Sequence, residues 1–307
     1  MKEYVLSYYP NFKCIAGDCK HTCCAGWEMN IDRETLSEYK AKRQDYTALE
    51  SGIDFKKSKF KADKSGRCAF LNDKNLCEII INLGEQSLCQ VCRDHPRFRS
   101  FFDDRIELGL GFCCETATKM ILSFDGKIEP VLVCDDNKEN PLNFNHKNIL
   151  EFREKALAIL QDRSVGIDDR INQVLTLCKA DFKEKDFSKL IKLFLSFERL
   201  DKGWAKRIKM LKKTPFSTLT DKEICAEQFL VNGIYRHLYN AEDTVSVRAI
   251  TLSLVLSLFV IINIAKNEQK TKENLVDIVR AFSAEVEYSQ NNLDKLFNFA
   301  YKFIKIG

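Results

Sequence analysis

Eleven of the 13 cysteines in this 307-residue chain fall between Cys14 and Cys134, leaving only Cys178 and Cys225 for the remaining 173 positions. Thiols at that density draw separate stretches of chain towards shared chemistry, either disulfide bonds or a metal. Their total is odd, so one thiol is left over in any disulfide scheme. The chain opens Met1-Lys2-Glu3-Tyr4, acidic and aromatic, without the apolar core or cleavage site of a secretory leader. The expected compartment is therefore a reducing cytoplasm, where clustered thiols are more often metal ligands or redox groups than disulfides.

Four groups carry the thiols. Cys14, Cys19, Cys23 and Cys24 lie within eleven residues, with Gly17 and Gly26 permitting a tight backbone. Cys68 and Cys77 flank a turn at Asn72-Asp73-Lys74-Asn75, Cys89-Gln90-Val91-Cys92 has the short spacing of a metal knuckle, and Cys113-Cys114 is an adjacent pair. Zinc normally takes two such knuckles and only one is present, so the count is matched better by an iron-sulfur cluster, with zinc as the alternative. Lys13, Lys20, Arg67, Arg93, Arg97 and Arg99 lie close in sequence and could offset a cluster's negative charge. Cys178 and Cys225 are expected to be ordinary buried thiols.

Organisation changes near residue 135. Before it, the sequence is irregular, with strands expected at Arg105 to Phe112 and Lys127 to Val133 and a helix over Glu115 to Phe124. The polar stretch Asp135 to Pro141 suits a linker. After it, apolar residues recur at helical spacing through Ile149, Phe152 and Ala156, then Ile171, Val174 and Leu175, and onward past a break at Thr214-Pro215 through Glu223 to Tyr239, Val245 to Ala265, Lys272 to Tyr288 and Leu293 to Ile304. The expected fold is mainly α: a Cys-rich metal-binding domain over 1–135 with few short strands, then a helical bundle over 142–307. Ala249 to Ala265 is almost continuously apolar, but its 17 residues fall short of the ~20 of a membrane span. A buried central helix is expected, with no stable membrane insertion.

Two patterns are decoys. A radical-methylation signature needs Cys-x-x-x-Cys-x-x-Cys, and after Cys19 and Cys23 the third place holds Gly26. Ile106-Glu107-Leu108-Gly109-Leu110-Gly111 imitates a nucleotide-binding loop, but no strand-helix alternation surrounds it. Basic and acidic side chains number 48 and 44, and the run Lys56 to Lys61 is flanked by Asp54 and Asp63, so no nucleic-acid partner is expected. Oligomeric state is not legible.

Taken together, Phe12-Lys13-Cys14, Cys19, Cys23-Cys24-x-x-Trp27, Gly66-x-Cys68-x-Phe70-Leu71, Cys77 and Cys92-Arg93-x-x-Pro96-Arg97 resemble the flagellin lysine-N-methylase family. Cys113 with Glu115 and Ala117 resembles a later stretch of that family, and Phe229 to Leu238 its bundle motif. The likeness runs through nearly the whole chain, departing at Cys114 and His95. It implies Cys14, Cys19, Cys23, Cys24, Cys68, Cys77, Cys92 and Cys113 as metal ligands, a [4Fe-4S] cluster, S-adenosylmethionine as methyl donor and lysine ε-amines of flagellin as acceptors. Cys89, Cys114 and Cys134 fall outside the pattern and would suit a thiol sensor. Arg93 and Arg97 are assigned to the cofactor's carboxylate or the cluster's charge, the alternative being ion pairs with Asp94, Asp103 or Asp104. No catalytic residue is assigned, and a non-enzymatic zinc- or iron-binding redox module is the competing function.

Overall fold

The computed structural model describes residues 1–137, 140–211, 223–268 and 272–305. The Thr214-Pro215 break and residues 138–139 of the expected linker lie outside them. The fold is mainly α, 56% helical, with six short strands among the described residues: β1 (Lys2–Leu6), β2 (Ile53–Asp54), β3 (Lys59–Phe60), β4 (Arg97–Phe101), β5 (Arg105–Leu110) and β6 (Pro130–Asp135).

The chain divides into two units, residues 13–97 and residues 1–12 with 98–307. The expected boundary at 135–142 is therefore displaced, and strand pairing gives the reason. β1 pairs in parallel with β5 and antiparallel with β6, in a sheet of order β4-β5-β1-β6. Leu6, Tyr8, Leu110, Phe112 and Ile121 then enter the same apolar core as the helices. Asn232 of helix Glu223–His237 completes the join: it donates to the Leu110 carbonyl (3.1 Å) and accepts from the Tyr8 hydroxyl, which itself accepts from Leu110 N–H. The strands expected at 105–112 and 127–133 are present as β5 and β6, and the helix after Cys114 runs Glu115–Leu122. β1 carries no alternating pattern, because only its last two residues are buried.

In the larger unit, helix Thr244–Asn267 is the buried centre. It is long and apolar enough to cross a membrane by composition, but 83% of its most apolar stretch is covered by the rest of the chain. Its polar side chains bond to its own carbonyls: Thr251 to Val247 (2.9 Å), Ser257 to Ser253 (2.8 Å) and Asn263 to Phe259 (2.7 Å). Asp243 caps its start by accepting from the N–H groups of Val245 and Ser246. Two arginines are buried with carboxylates, Arg153 forking onto Glu107 and Arg170 meeting Glu227, which offsets much of the hydration they lose.

Residues 13–97 have their own small core of Met29, Ile31, Leu36, Tyr39, Leu49, Ile53, Phe60, Phe70 and Ile79, into which Cys68 and Cys89 are packed. Phe60 and Phe70 meet edge to face at 5.3 Å. Tyr39 donates to the Ser87 carbonyl at 2.6 Å, anchoring the segment ahead of Cys89.

Candidate functional site

Short backbone links gather five thiols in the 13–97 unit. Cys68 N–H donates to the Cys24 carbonyl (2.8 Å), and a bridge between Leu71 and Cys77 folds the next segment back. Gly66, at φ +81°, turns the chain there, and a Cβ would crowd Gly26 N at 3.3 Å. Asp32 ties in the last segment: it caps helix Arg33–Lys42 through Thr35 N–H (2.9 Å) and accepts from Gln90 N–H (2.8 Å), which fixes the turn carrying Cys89 and Cys92. Cys24, Cys68, Cys77, Cys89 and Cys92 carry thiols rather than disulfides and pack in or against one core.

Their proton affinities are spread apart by these surroundings. A hydrogen bond from Cys23, outweighing burial with help from Thr22 and Arg67, lowers Cys24 to about 7. Burial pushes Cys68 up to about 11 and raises Cys77, although backbone N–H groups of Phe70, and of Ile79 and Ile80, face the two sulfurs. Cys89 and Cys92 share a hydrogen bond that lowers the first and raises the second. Among the described residues, no three Cys, His, Asp or Glu side chains stand close enough to hold a metal ion in this conformation. By donor chemistry the set does fit: soft thiols packed in or against one small core, several facing amide N–H groups, suit zinc or an iron-sulfur cluster.

The expected ligands are thus not all brought together. Cys24, Cys68, Cys77 and Cys92 join the core. Cys14 and Cys23 are exposed and Cys19 is half-buried on the loop before it, while Cys113 belongs to the other unit. Cys89, outside the family pattern, is fully buried among the five; its signal in the sequence is the Cys-x-x-Cys spacing itself. Trp27 donates to the Cys23 carbonyl (2.8 Å) and stacks on His95 at 6.2 Å, closing one side of the loop. Arg97 donates to the Arg93 carbonyl at 3.0 Å. Two carboxylates considered for these arginines are engaged elsewhere: Asp103 with His146 (2.7 Å) and Asp104 with Arg105 (2.8 Å).

A second constellation, which the sequence reading missed, lies in the helical unit. Arg236 and His237 end the helix Glu223–His237, and a π-helical turn, Ser283–Glu287, presents Glu287 to both. Arg236 Nη1 lies 3.0 Å from one Glu287 oxygen and His237 Nε2 2.9 Å from the other, while the Ser283 hydroxyl donates to the same carboxylate. The Arg236 guanidinium also stacks 4.8 Å from the Tyr288 ring, and Tyr288 shares a hydrogen bond with Cys113. Gly111 is required there, because a Cβ would stand 2.6 Å from Arg236 Nη1 and 2.9 Å from the Tyr288 hydroxyl. Burial opposes ionisation of Glu287, but Arg236 and His237 outweigh it and hold the carboxyl near 2. Burial lowers His237, keeping it neutral despite Glu287, and pushes Cys113 up to about 12. Tyr288 combines a buried hydroxyl, whose proton affinity is raised, with a residue surface 48% exposed, so the constellation opens to solvent at that ring. π-turns of this kind recur at functional sites.

Residues 180–304 match the model of the FliB lysine N-methylase C-terminal domain, and this stretch supplies Arg236, His237, Glu287 and Tyr288. Over that stretch, about two fifths of its length, the chain is similar to the FliB lysine N-methylase family. Lysine-N-methylases of Salmonella choleraesuis and Salmonella typhimurium are each 25% identical over 135 residues, covering 40% of this chain and 34% of theirs. The chain thus spans about a third of the length of those two relatives. The flagellar biosynthetic protein FliU of Salmonella muenchen is also 25% identical over 135 residues, here 80% of its length. No solved structure matches. The family model's match covers the helical part rather than the cysteine loops in which the resemblance was densest.

Proposed function

We propose that the chain is a lysine N-methyltransferase, with S-adenosylmethionine as methyl donor and flagellin as protein substrate. The observation that carries this reading is the match over 180–304, because the matched stretch also holds the constellation around Glu287. The chain then works in the cytoplasm, whose thiol buffers keep its cysteines reduced.

Methyl transfer to a lysine needs a neutral amine lone pair aligned with the methyl carbon. The N–C bond forms as the C–S bond of the sulfonium breaks, sulfur keeps the electron pair, and the amine's proton leaves to water. The candidate site suits the alignment. Arg236 and Glu287 neutralise one another and stay charged, so the interior gains no net charge, and they hold Tyr288 with its hydroxyl inward. The exposed ring then offers an apolar wall for the lysine's methylene chain, and the phenol oxygen orients the amine. Glu287 and His237 are positioning residues; Tyr288 is the group that touches substrate.

In the same reading four of the five thiols Cys24, Cys68, Cys77, Cys89 and Cys92 would hold a [4Fe-4S] cluster, whose chemistry when bound is electron transfer or Lewis acidity. Arg93 and Arg97 remain assigned to the donor's carboxylate or to the cluster's charge.

The test is incubation of anaerobically purified, metal-loaded protein with S-adenosylmethionine and flagellin, read by mass spectrometry of flagellin lysines. Methylated lysine is expected, and Tyr288→Phe should lower the rate about a hundredfold by misplacing the amine. A fully loaded protein that leaves every lysine unmodified overturns the methylase in favour of a metal-binding redox module. Visible thiolate-to-iron absorption distinguishes iron from colourless zinc.

A further inference from the structure

The edge strand of the sheet carries an anomaly that methyl transfer does not use. β6 has β1 on one side, and among the described residues no strand follows it in the sheet order β4-β5-β1-β6. Three consecutive apolar residues on it are open: Val131 is 45% exposed, Leu132 49% and Val133 56%. Successive strand side chains point to opposite faces, so this edge is apolar on both. An edge of this kind is a template for another strand, and proteins ordinarily blunt it with charge or proline. Here proline stands only at the first position, Pro130, and no basic residue interrupts the apolar run.

Charge selects the occupant. Exposed Glu129 precedes the strand, and exposed Asp135 and Asp136 end it; Asp136 already holds an ammonium, that of Met1. A second copy of the chain, pairing antiparallel about Leu132, would set Glu129 of each copy against Asp135 of the other, and like charges directly opposite destabilise a strand pair. A cationic segment meets the reverse. From Glu129 to Asp135 is six residues, about 20 Å of extended chain at ~3.3 Å per residue, so the complementary ligand has lysines about six residues apart with β-branched residues between them.

We propose that β6 captures the protein substrate by strand addition, taking an extended, apolar segment bracketed by lysines. The identity of those lysines as methyl acceptors rests on the methylase reading; the capture itself does not. Backbone hydrogen bonds to the open edge give the affinity, the apolar run sets the register, and the two acidic ends choose lysine.

The probe is a blocked seven-residue peptide with lysine at both ends and alternating valine and threonine between, titrated against the full chain by fluorescence anisotropy. Its counterpart carries glutamate at both ends. Expected results are binding of the lysine peptide at least tenfold tighter than the glutamate peptide, weakening as salt rises. Val133→Lys, at the most exposed of the three positions, should weaken the lysine peptide at least tenfold. Glu129→Lys with Asp135→Lys should invert the preference, an outcome that apolar stickiness or misfolding cannot imitate. Absence of binding to the wild-type chain, indifference of both variants, or a concentration-dependent dimer lost in Val133→Lys without peptide binding each overturns the proposal, the last in favour of a second copy. Binding without methylation of flagellin sinks the methylase reading and leaves capture standing. Methylation unchanged in a Val133→Lys chain that binds the peptide as the wild type does sinks capture alone.

Discussion

The two units bury polar chemistry by opposite means. In the helical unit three internal arginines each have a carboxylate held by geometry: Arg153 with Glu107, Arg170 with Glu227, Arg236 with Glu287. In residues 13–97 the buried reactive groups are thiols, which can be neutral and so need no partner to be tolerated. The first arrangement is finished when the chain folds. The second leaves sulfur in reserve for something that folding alone does not supply, in a unit whose apolar core is thin for its length.

That contrast can be broken or sharpened, beginning with metal removal. Chelation of the loaded protein should unfold residues 13–97 and leave the helical unit intact, because structural thiolate sites contribute about 10 kcal/mol or more to folding. Limited proteolysis should then cut between 13 and 97, and equal protection of both units would end the distinction. Next in size, Arg153→Ala leaves Glu107, which is 1% exposed, with only Arg105 at 4.0 Å, and should cost about 3 kcal/mol in denaturant unfolding without altering metal content. A smaller loss, about 1–3 kcal/mol, is expected of Tyr39→Phe, which leaves the Ser87 carbonyl without its 2.6 Å donor. Its signature should be easier metal loss, which Arg153→Ala should not cause.

The smallest effect is titration of the Glu287 constellation. His237 is lowered from its ordinary 6.5 by burial, so the unfolded chain binds that proton first; its contribution is complete above pH 6.5 and declines as pH falls. Glu287 is held near 2 against an ordinary 4.5, so its contribution is complete above 4.5 and is lost as pH falls towards 2. Thermal midpoints measured between pH 7 and 3 should therefore fall with acidification for the helical unit. Glu287→Gln should flatten the lower part of that curve, and an unchanged slope would deny the pair any part in stability.

Much of the fold is legible because its signals repeat along the chain. Helix Thr244–Asn267 announces its buried role by being apolar all round, and the bundle by its 3.6-residue stripes. β1 does not announce itself: Lys2, Glu3 and Tyr4 are polar or half-exposed, and the strand exists because β5 and β6 flank it. Missing β1 is what moved the expected boundary to 135, since the strands before that point read as part of the cysteine domain. In the candidate site, Cys24, Cys68, Cys77 and Cys92 were implied by the family resemblance, whereas Cys89 fell outside it although the Cys-x-x-Cys spacing includes it. Nothing local marks Glu287 or Tyr288, whose meaning comes from Arg236 some fifty residues away.

By itself the sequence determined that the chain is mainly helical, that its thiols are concentrated near one end and that one helix is central, because periodicity and composition are properties of neighbouring residues. Which thiols share a core, which carboxylate faces which arginine, and which strand is left at the edge were decided only by tertiary structure. Those pairings depend on closing long loops between segments that have no influence on one another until the core forms around them.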